Sequence, residues 1–414
     1  KIALDLTVKA DRMILDFSRT SPACAGPVNI ALSTAVASVY VALKHLFTEV
    51  PANSGVLSPI EIIIPEGSLL NVKAPKPVGG YTETILRIID VVFCTMANVA
   101  PERVNGCAYG TINALSLAGH RRDGSRWVMF SFFGGGHGGH PEGDGLNHGN
   151  APISTATIPP AEILEAAYPV KFTKWALRPD SGGPGRHRGG LGALYEIELL
   201  EEVASVFLFG ERGKFSPPGV LGGESGALNK FTYEQDDGVH SPLLSSKMND
   251  IKLKKGQKLL LQTPGGGGYG TPCERDPDDV ALDVSLGYVS RENAVRQYAV
   301  SINDDGTLTK KAVADLKAQT KTPEELNDEV RAEILARIKR GELTEEQLAA
   351  WERYDAFDIN PTTAQVTRDP GDFHAQNEAW RHQDPLTRWW DDDCLEIFID
   401  EDNGGGNQDR KSVV

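Results

Sequence analysis

Apolar and polar positions alternate from the first residues of the chain. Ile2, Leu4, Leu6 and Val8 lie two apart, Met13–Phe17 alternates likewise, and Ala10 and Asp11 fall between the runs. Alternation broken by a short step predicts a β-hairpin. Apolar spacing becomes helical over Ile30–Val50, with Pro51 as the expected stop. Pro59–Pro65 reads as a short apolar strand and Glu83–Ala97 as a second, buried helix. Trp127–Phe133 predicts a strand running into a glycine loop. Lys171–Arg178 and Ala193–Phe209 add three strand runs, and Lys258–Gln262 adds one more before Gly265–Gly268. No regular β-α-β-α rhythm connects these elements. The expected fold class is α+β, with mixed sheets, buried helices and long Gly-rich loops.

The pattern changes near Val300. Thr322-Pro323-Glu324-Glu325 joins a cap, a first-turn proline and a reciprocal Glu, predicting a helix to Arg340 that Gly341 ends. Thr344-Glu345-Glu346-Gln347 repeats the signal for a second helix closing near Tyr354. The rest, with Trp380, Trp389, Trp390 and Asp391–Asp393, has no clear period and is expected to wrap over another surface. Charge marks the same boundary: residues 301–414 hold 26 acids against 14 bases, a net of −12, leaving −3 for residues 1–300. Two parts are therefore expected. Residues 1–300 form the core, and 301–414 an acidic, mainly helical extension suited to subunit contact.

With 414 residues, 40% hydrophobic and 24% charged, the chain has the composition of a globular protein. Its net charge of −15 argues against a nucleic-acid partner, which calls for a basic field. No run of about eighteen apolar residues offers a membrane span. The five cysteines include no CxxC pair, which disfavours a zinc ribbon or a disulfide framework. Cytoplasmic residence is expected, and a chain opening in mid-strand is expected to be a fragment of something longer.

Chemistry concentrates in glycine-rich loops. Gly134-Gly135-Gly136-His137-Gly138-Gly139-His140 contains a formal G-x-G-x-x-G, but Pro141-Glu142-Gly143 follows where a dinucleotide site needs a helix. That site is rejected, and a phosphate-binding P-loop fails for want of Ser or Thr after Gly213-Lys214. His137, His140, Asp144 and His148 are the candidate catalytic residues. Such groups suit Zn, Mn or Fe, but contact with a polar substrate or anion, or a solvated loop, is each the stronger reading. Asp180–Gly190 carries Arg186 and Arg188 among five glycines, a pattern in which successive N–H groups and planar charge can meet an anion. A simple turn, with Asp180 pairing an arginine, is the competing reading. Four consecutive glycines at 265–268 predict backbone closely approached by a ligand or another chain.

The wording of these loops resembles the hydantoinase B/oxoprolinase family. The resemblance is carried by Asp16-Phe17-Ser18-Arg19-Thr20-Ser21-Pro22, Gly26-Pro27-Val28-Asn29, Pro65-Glu66-Gly67-Ser68, Pro101-Glu102-Arg103-Val104, Asp180–Gly190, Gly210-Glu211-Arg212, Thr263–Gly270 and Gly287-Tyr288-Val289-Ser290. It implies one subunit of an ATP-dependent complex, whose hydantoinase A-type partner binds ATP and phosphorylates a carbonyl or lactam oxygen. A small third subunit is also implied. Asn29, Asp180, Arg186, Arg188 and Arg212 become the candidate substrate- or anion-binding residues. The histidine loop and the extension look like the acetone and acetophenone carboxylase branch. That likeness implies a ketone carboxylase joining a phosphorylated enol to activated bicarbonate. The alternatives are an ATP-dependent hydantoinase, 5-oxoprolinase or lactamase, or a non-catalytic assembly piece. The family's His-x-x-Asp elements, which resemble Mn ligands, have no match here, so no metal ligand is assigned to this chain and Mn or Zn is expected elsewhere in the complex. Arg19 stands where the family usually has Gly.

Overall fold

The computed structural model describes residues 1–303 except Ala10, 155–158 and 243–245, then 339–340 and the backbone of 308–310, 365–369 and 372–377. The opening hairpin is present: β1 (Leu4–Val8) pairs antiparallel with β2 (Met13–Asp16). Helix α1 (Leu32–Leu46) follows, and β3 (Ile60–Ile63) pairs parallel with β2. Helix α1 ends before Pro51, where Phe47 N–H bonds the Leu43 carbonyl and Lys44 reaches the Phe47 carbonyl at 3.1 Å. A basic side chain on the last carbonyls terminates the helix earlier than proline requires. Helix α2 (Tyr81–Met96) packs on α1 and this sheet, burying Leu6, Leu15, Val39, Leu43, Ile88 and Val92.

Two antiparallel sheets form a second core. One has the order β11-β8-β4-β5, with β4 (Ala114–His120), β5 (Arg126–Phe132), β8 (Val203–Phe209) and β11 (Lys247–Lys254). The other runs β10-β9-β12-β7-β6, with β6 (Val170–Leu177), β7 (Ala193–Leu199), β9 (Lys230–Gln235), β10 (Gly238–His240) and β12 (Lys258–Gln262). A short helix, α3 (Ala161–Ala167), leads into β6. Alternate residues such as Leu115, Leu117, Tyr195, Ile197, Val206, Leu208, Phe231 and Leu259 share one buried cluster, so the sheets face each other as a sandwich.

Helices α4 (Pro277–Ser285) and α5 (Arg291–Tyr298) close this part, with β13 (Val300–Ile302) paired to β14 (Leu308–Lys310). Strands β15 (Gln365–Asp369) and β16 (Asp372–Asn377) form a hairpin, and β16 pairs with β1. The fold is α+β. The helices expected at 322–340 and 344–354, and the tryptophans from 380 on, lie outside the described residues. Among the described residues no helix is long and apolar enough to cross a membrane.

Between the cores the glycine-rich loops stack backbone on backbone. A Cβ on Gly138 would sit 1.7 Å from the Gly106 oxygen, and one on Gly266 would sit 2.0 Å from the His137 oxygen. Lateral bonds knit the segments: Gly106 N–H to Gly139 O at 2.8 Å, Gly139 N–H to Gly267 O at 2.9 Å, and Gly183 N–H to Gly266 O at 2.7 Å. Close approach is expected at 265–268 from sequence, and it occurs there. The approaching groups are other stretches of the same chain.

Candidate functional site

The lattice and α2 together wall a cleft of about 290 Å³. Leu86, Ile89 and Phe93 of α2, with Leu146 and Pro152, supply apolar lining, while Asn105, His137, Asn150 and Asp90 supply polar groups. His137 Nε2 lies 2.6 Å from the Asn150 carbonyl oxygen. That contact makes Nε2–H the donor and leaves Nδ1 with a lone pair. Burial pushes the His137 pKa down against the opposing pull of this hydrogen bond, so the ring is neutral near pH 7.

The other loop candidates do not join it. His148, in the left-handed backbone region at φ 51°, bonds the Tyr195 hydroxyl, and burial lowers its pKa. Asp144 receives Arg275 Nη1 at 2.6 Å and Nη2 at 2.7 Å, and its carboxyl also accepts the Arg188 N–H. Burial works to raise the Asp144 pKa, but Arg275 and Arg188 hold it below the usual range. His140 is half-buried and pairs by backbone with Gly143. Three histidines and one carboxylate thus occupy separate surroundings, and these four residues do not assemble into a ligand set. Among the described residues no three His, Cys, Asp or Glu side chains converge as a metal cage.

The arginine loop also differs from its expected geometry. Its N–H groups are used inside the chain: Gly190 to His137 O at 2.7 Å, His187 to Tyr269 O at 3.0 Å, and Arg186 to Gly270 O at 3.1 Å. A nest of free donors for an anion is absent from these positions. Arg188 is buried, pairs with Asp283 at 3.2 Å and lies over the Tyr288 ring. Asp180 accepts the Ser290 N–H at 2.8 Å, tying the loop to the residue that caps α5. Asn29 is buried and donates to the carbonyls of Cys24, Gly26 and Pro77, stapling its own loop. Of the anion candidates only Arg186 is exposed, with its guanidinium 5.6 Å from the Tyr269 ring centre.

Arg212 belongs to a network that sequence reasoning misses. Its Nη2 meets Asp90 at 2.6 Å, and Arg87 meets the same carboxylate at 2.9 Å while also bonding the Gly110 carbonyl. Glu83 is fully buried, accepts the Ile112 N–H at 3.0 Å and leaves Oε2 without a hydrogen-bond partner among the described residues. Burial, reinforced by Glu211, raises its pKa to about 7. Burial also lowers Arg212 to about 10, with Arg87 adding to the effect. Only Asp90 of these four lines the cleft. The available signal is Glu83, Arg87 and Asp90 at i, i+4 and i+7 in a helix buried on every side, where charge must be matched internally.

The family model for hydantoinase B/oxoprolinase matches residues 1–272. A D-/L-hydantoinase protein of B type from Pseudomonas sp. (strain NS671) is 28% identical over 313 residues, covering 73% of this chain and 52% of that protein. The solved ATP-dependent caprolactamase from Pseudomonas jessenii superposes with TM-score 0.68 at 26% identity, over 77% of this chain and 56% of that one. An acetone carboxylase structure gives TM-score 0.65 at 18% identity, over 81% and 55%, which shows a shared fold. The chain spans about half the length of the curated relatives it matches. It belongs to the hydantoinase B/oxoprolinase family.

Proposed function

We propose that this chain is part of a B-type subunit that completes the ATP-dependent opening of a small cyclic amide. The observation that carries the reading is a half-apolar cleft holding a neutral His137 of fixed tautomer. A hydantoinase A-type partner would bind ATP and phosphorylate the amide oxygen, making the ring carbon electrophilic. Water must then add to that carbon. His137 Nδ1 would accept the water's proton, a role that requires the deprotonated imidazole its burial favours. Asn105 and Asn150 offer neutral polar groups to the substrate, while the apolar wall holds the ring. The identity of 26–28% with hydantoinase- and caprolactamase-type proteins favours an amide over a ketone. No step is assigned to Mn or Zn, because the loop side chains of this chain do not converge on a ligand set.

A second reading, ketone carboxylation with bicarbonate as co-substrate, is favoured by the histidine-loop wording and the shared fold. The assembled complex, given ATP with hydantoin, 5-oxoproline or caprolactam, and separately acetone or acetophenone with bicarbonate, distinguishes the two by product mass. Ring-opened product is expected. Carboxylated ketone without amide opening would overturn the proposal. His137→Gln should lower turnover by about 100-fold or more, the usual scale of general-base loss. Unchanged turnover would favour a non-catalytic assembly role for this piece.

A further inference from the structure

Cys94 and Cys107 place their sulfurs 3.6 Å apart, each next in sequence to residues that line the cleft. Cys94 sits in the last turn of α2 and is partly exposed, whereas Cys107 is buried. A disulfide needs an S–S distance of about 2.05 Å, so the sulfurs must approach by about 1.5 Å to bond. Both residues have cleft-lining neighbours. Phe93 precedes Cys94, and Gly106 and Ala108 flank Cys107. Asp90 stands one turn before Cys94 on the same helix and lines the cleft. The segment around Cys107 is anchored to the lattice through its N–H to Pro218 O at 2.9 Å and its carbonyl from Gly267 N–H at 2.8 Å. A covalent link would therefore fix α2 to the glycine lattice beside the cleft.

We propose that Cys94 and Cys107 form a reversible disulfide, a modification site that a peroxide oxidises and a dithiol restores. Partly exposed Cys94 reacts first: its sulfur attacks hydrogen peroxide, the O–O bond breaks, and a sulfenic acid and water result. The Cys107 sulfur then attacks the Cys94 sulfur. The S–S bond forms, the S–O bond breaks, and the departing hydroxide takes the Cys107 proton as a second water. Two thiols lose two electrons and two protons to one peroxide. Burial keeps Cys107 protonated and inert until its neighbour is oxidised. The loop between the two cysteines holds only Thr95 to Gly106, so the crosslink is local and leaves the fold's long-range pairings in place.

The test uses the assembled complex, titrated with hydrogen peroxide, blocked with N-ethylmaleimide and digested for mass spectrometry. Of five cysteines, the Cys94 and Cys107 thiols should be lost to alkylation together, with their peptides joined and about 2 Da lighter than the reduced pair, the mass of the two hydrogens removed. Dithiothreitol should restore both. In the Cys107→Ser variant Cys94 should instead accumulate as sulfenic acid, trapped by dimedone. Full alkylation of both thiols after peroxide, or pairing of Cys94 with any other cysteine, overturns the proposal. Because the readout is covalent, it stands whichever substrate the complex turns over.

Discussion

Two buried clusters of arginine and carboxylate behave differently because of what surrounds them. Arg188, Arg275, Asp144 and Asp283 balance two cations against two anions, with Arg275 reaching Asp144 at 2.6 Å and Asp283 at 2.8 Å. They bind the histidine loop, the arginine loop and α4 into one piece. The Arg87–Asp90–Arg212 cluster has one fully committed carboxylate and a second, Glu83, held near its protonation point. The first cluster is a closed fastening. Each cluster leaves one guanidinium Nε unpartnered among the described residues, on Arg275 and on Arg87, but only the second opens on the cleft through Asp90 and holds an unpartnered carboxylate oxygen, Glu83 Oε2, so it is the one whose charge can change.

The sharpest way to break this comparison is Arg188→Met. Removing Arg188 leaves the Asp144 and Asp283 carboxylates to share the single guanidinium of Arg275, and stability should fall by about 3 kcal/mol, the lower end of the cost of breaking a buried pair. Chemical denaturation of the complex measures it, and a loss below about 1 kcal/mol, the scale of an exposed pair, would make the fastening dispensable. The next effect is pH-dependent. Glu83 has a folded pKa of about 7 against 4.5 as the ordinary value, so the folded state keeps a proton that the unfolded chain releases. Its contribution is fully present below pH 4.5 and is lost as pH rises through about 7. The span amounts to about 3 kcal/mol. Glu83→Gln should remove that slope and leave the variant the more stable at about pH 8, above the folded pKa. Identical slopes for the two proteins would place the titration elsewhere. The smallest stability change should come from Arg186→Met, within about 0.5 kcal/mol, since the side chain is exposed. Turnover should nonetheless fall about tenfold if the guanidinium meets a substrate anion, as hydrogen bonds to charged groups allow. Unaltered turnover would leave Arg186 as a surface stack on Tyr269.

Periodicity makes β1, β2, β12 and both long helices legible, because each presents one consistent face to a core. Strands β4, β9 and β11 carry weaker signals. Gly119 and His120 blur the end of β4, and Lys247–Lys254 interleaves its apolar residues with so much lysine and asparagine that it reads as surface. Helices α4 and α5 carry their caps in plain view, Asp276 before Pro277 and Ser290 before Arg291. They are short and polar, which hides them. Chemistry is legible by residue type but not by direction. His137 and His148 look alike in sequence, yet one lines the cleft and the other is bonded to Tyr195. Arg188 looks like an anion clamp because Asp283, its partner, lies 95 residues away. Family wording points to these loops, where Ser290 caps α5 and Asp180 ties the loop to it.

The glycine lattice has a kinetic consequence. Its layers come from residues near 106, 138, 183, 223 and 267, which are neighbours in space but distant along the chain. No one segment gains fully from ordering before the others, since bonds that join the layers, such as Gly106 N–H to Gly139 O and Gly183 N–H to Gly266 O, need partners tens of residues away. Glycine also surrenders more backbone freedom on ordering than any other residue. Closing such loops must be repaid all at once. The cleft is therefore expected to assemble late and cooperatively, and a cut in these loops is expected to cost the whole site rather than one wall of it.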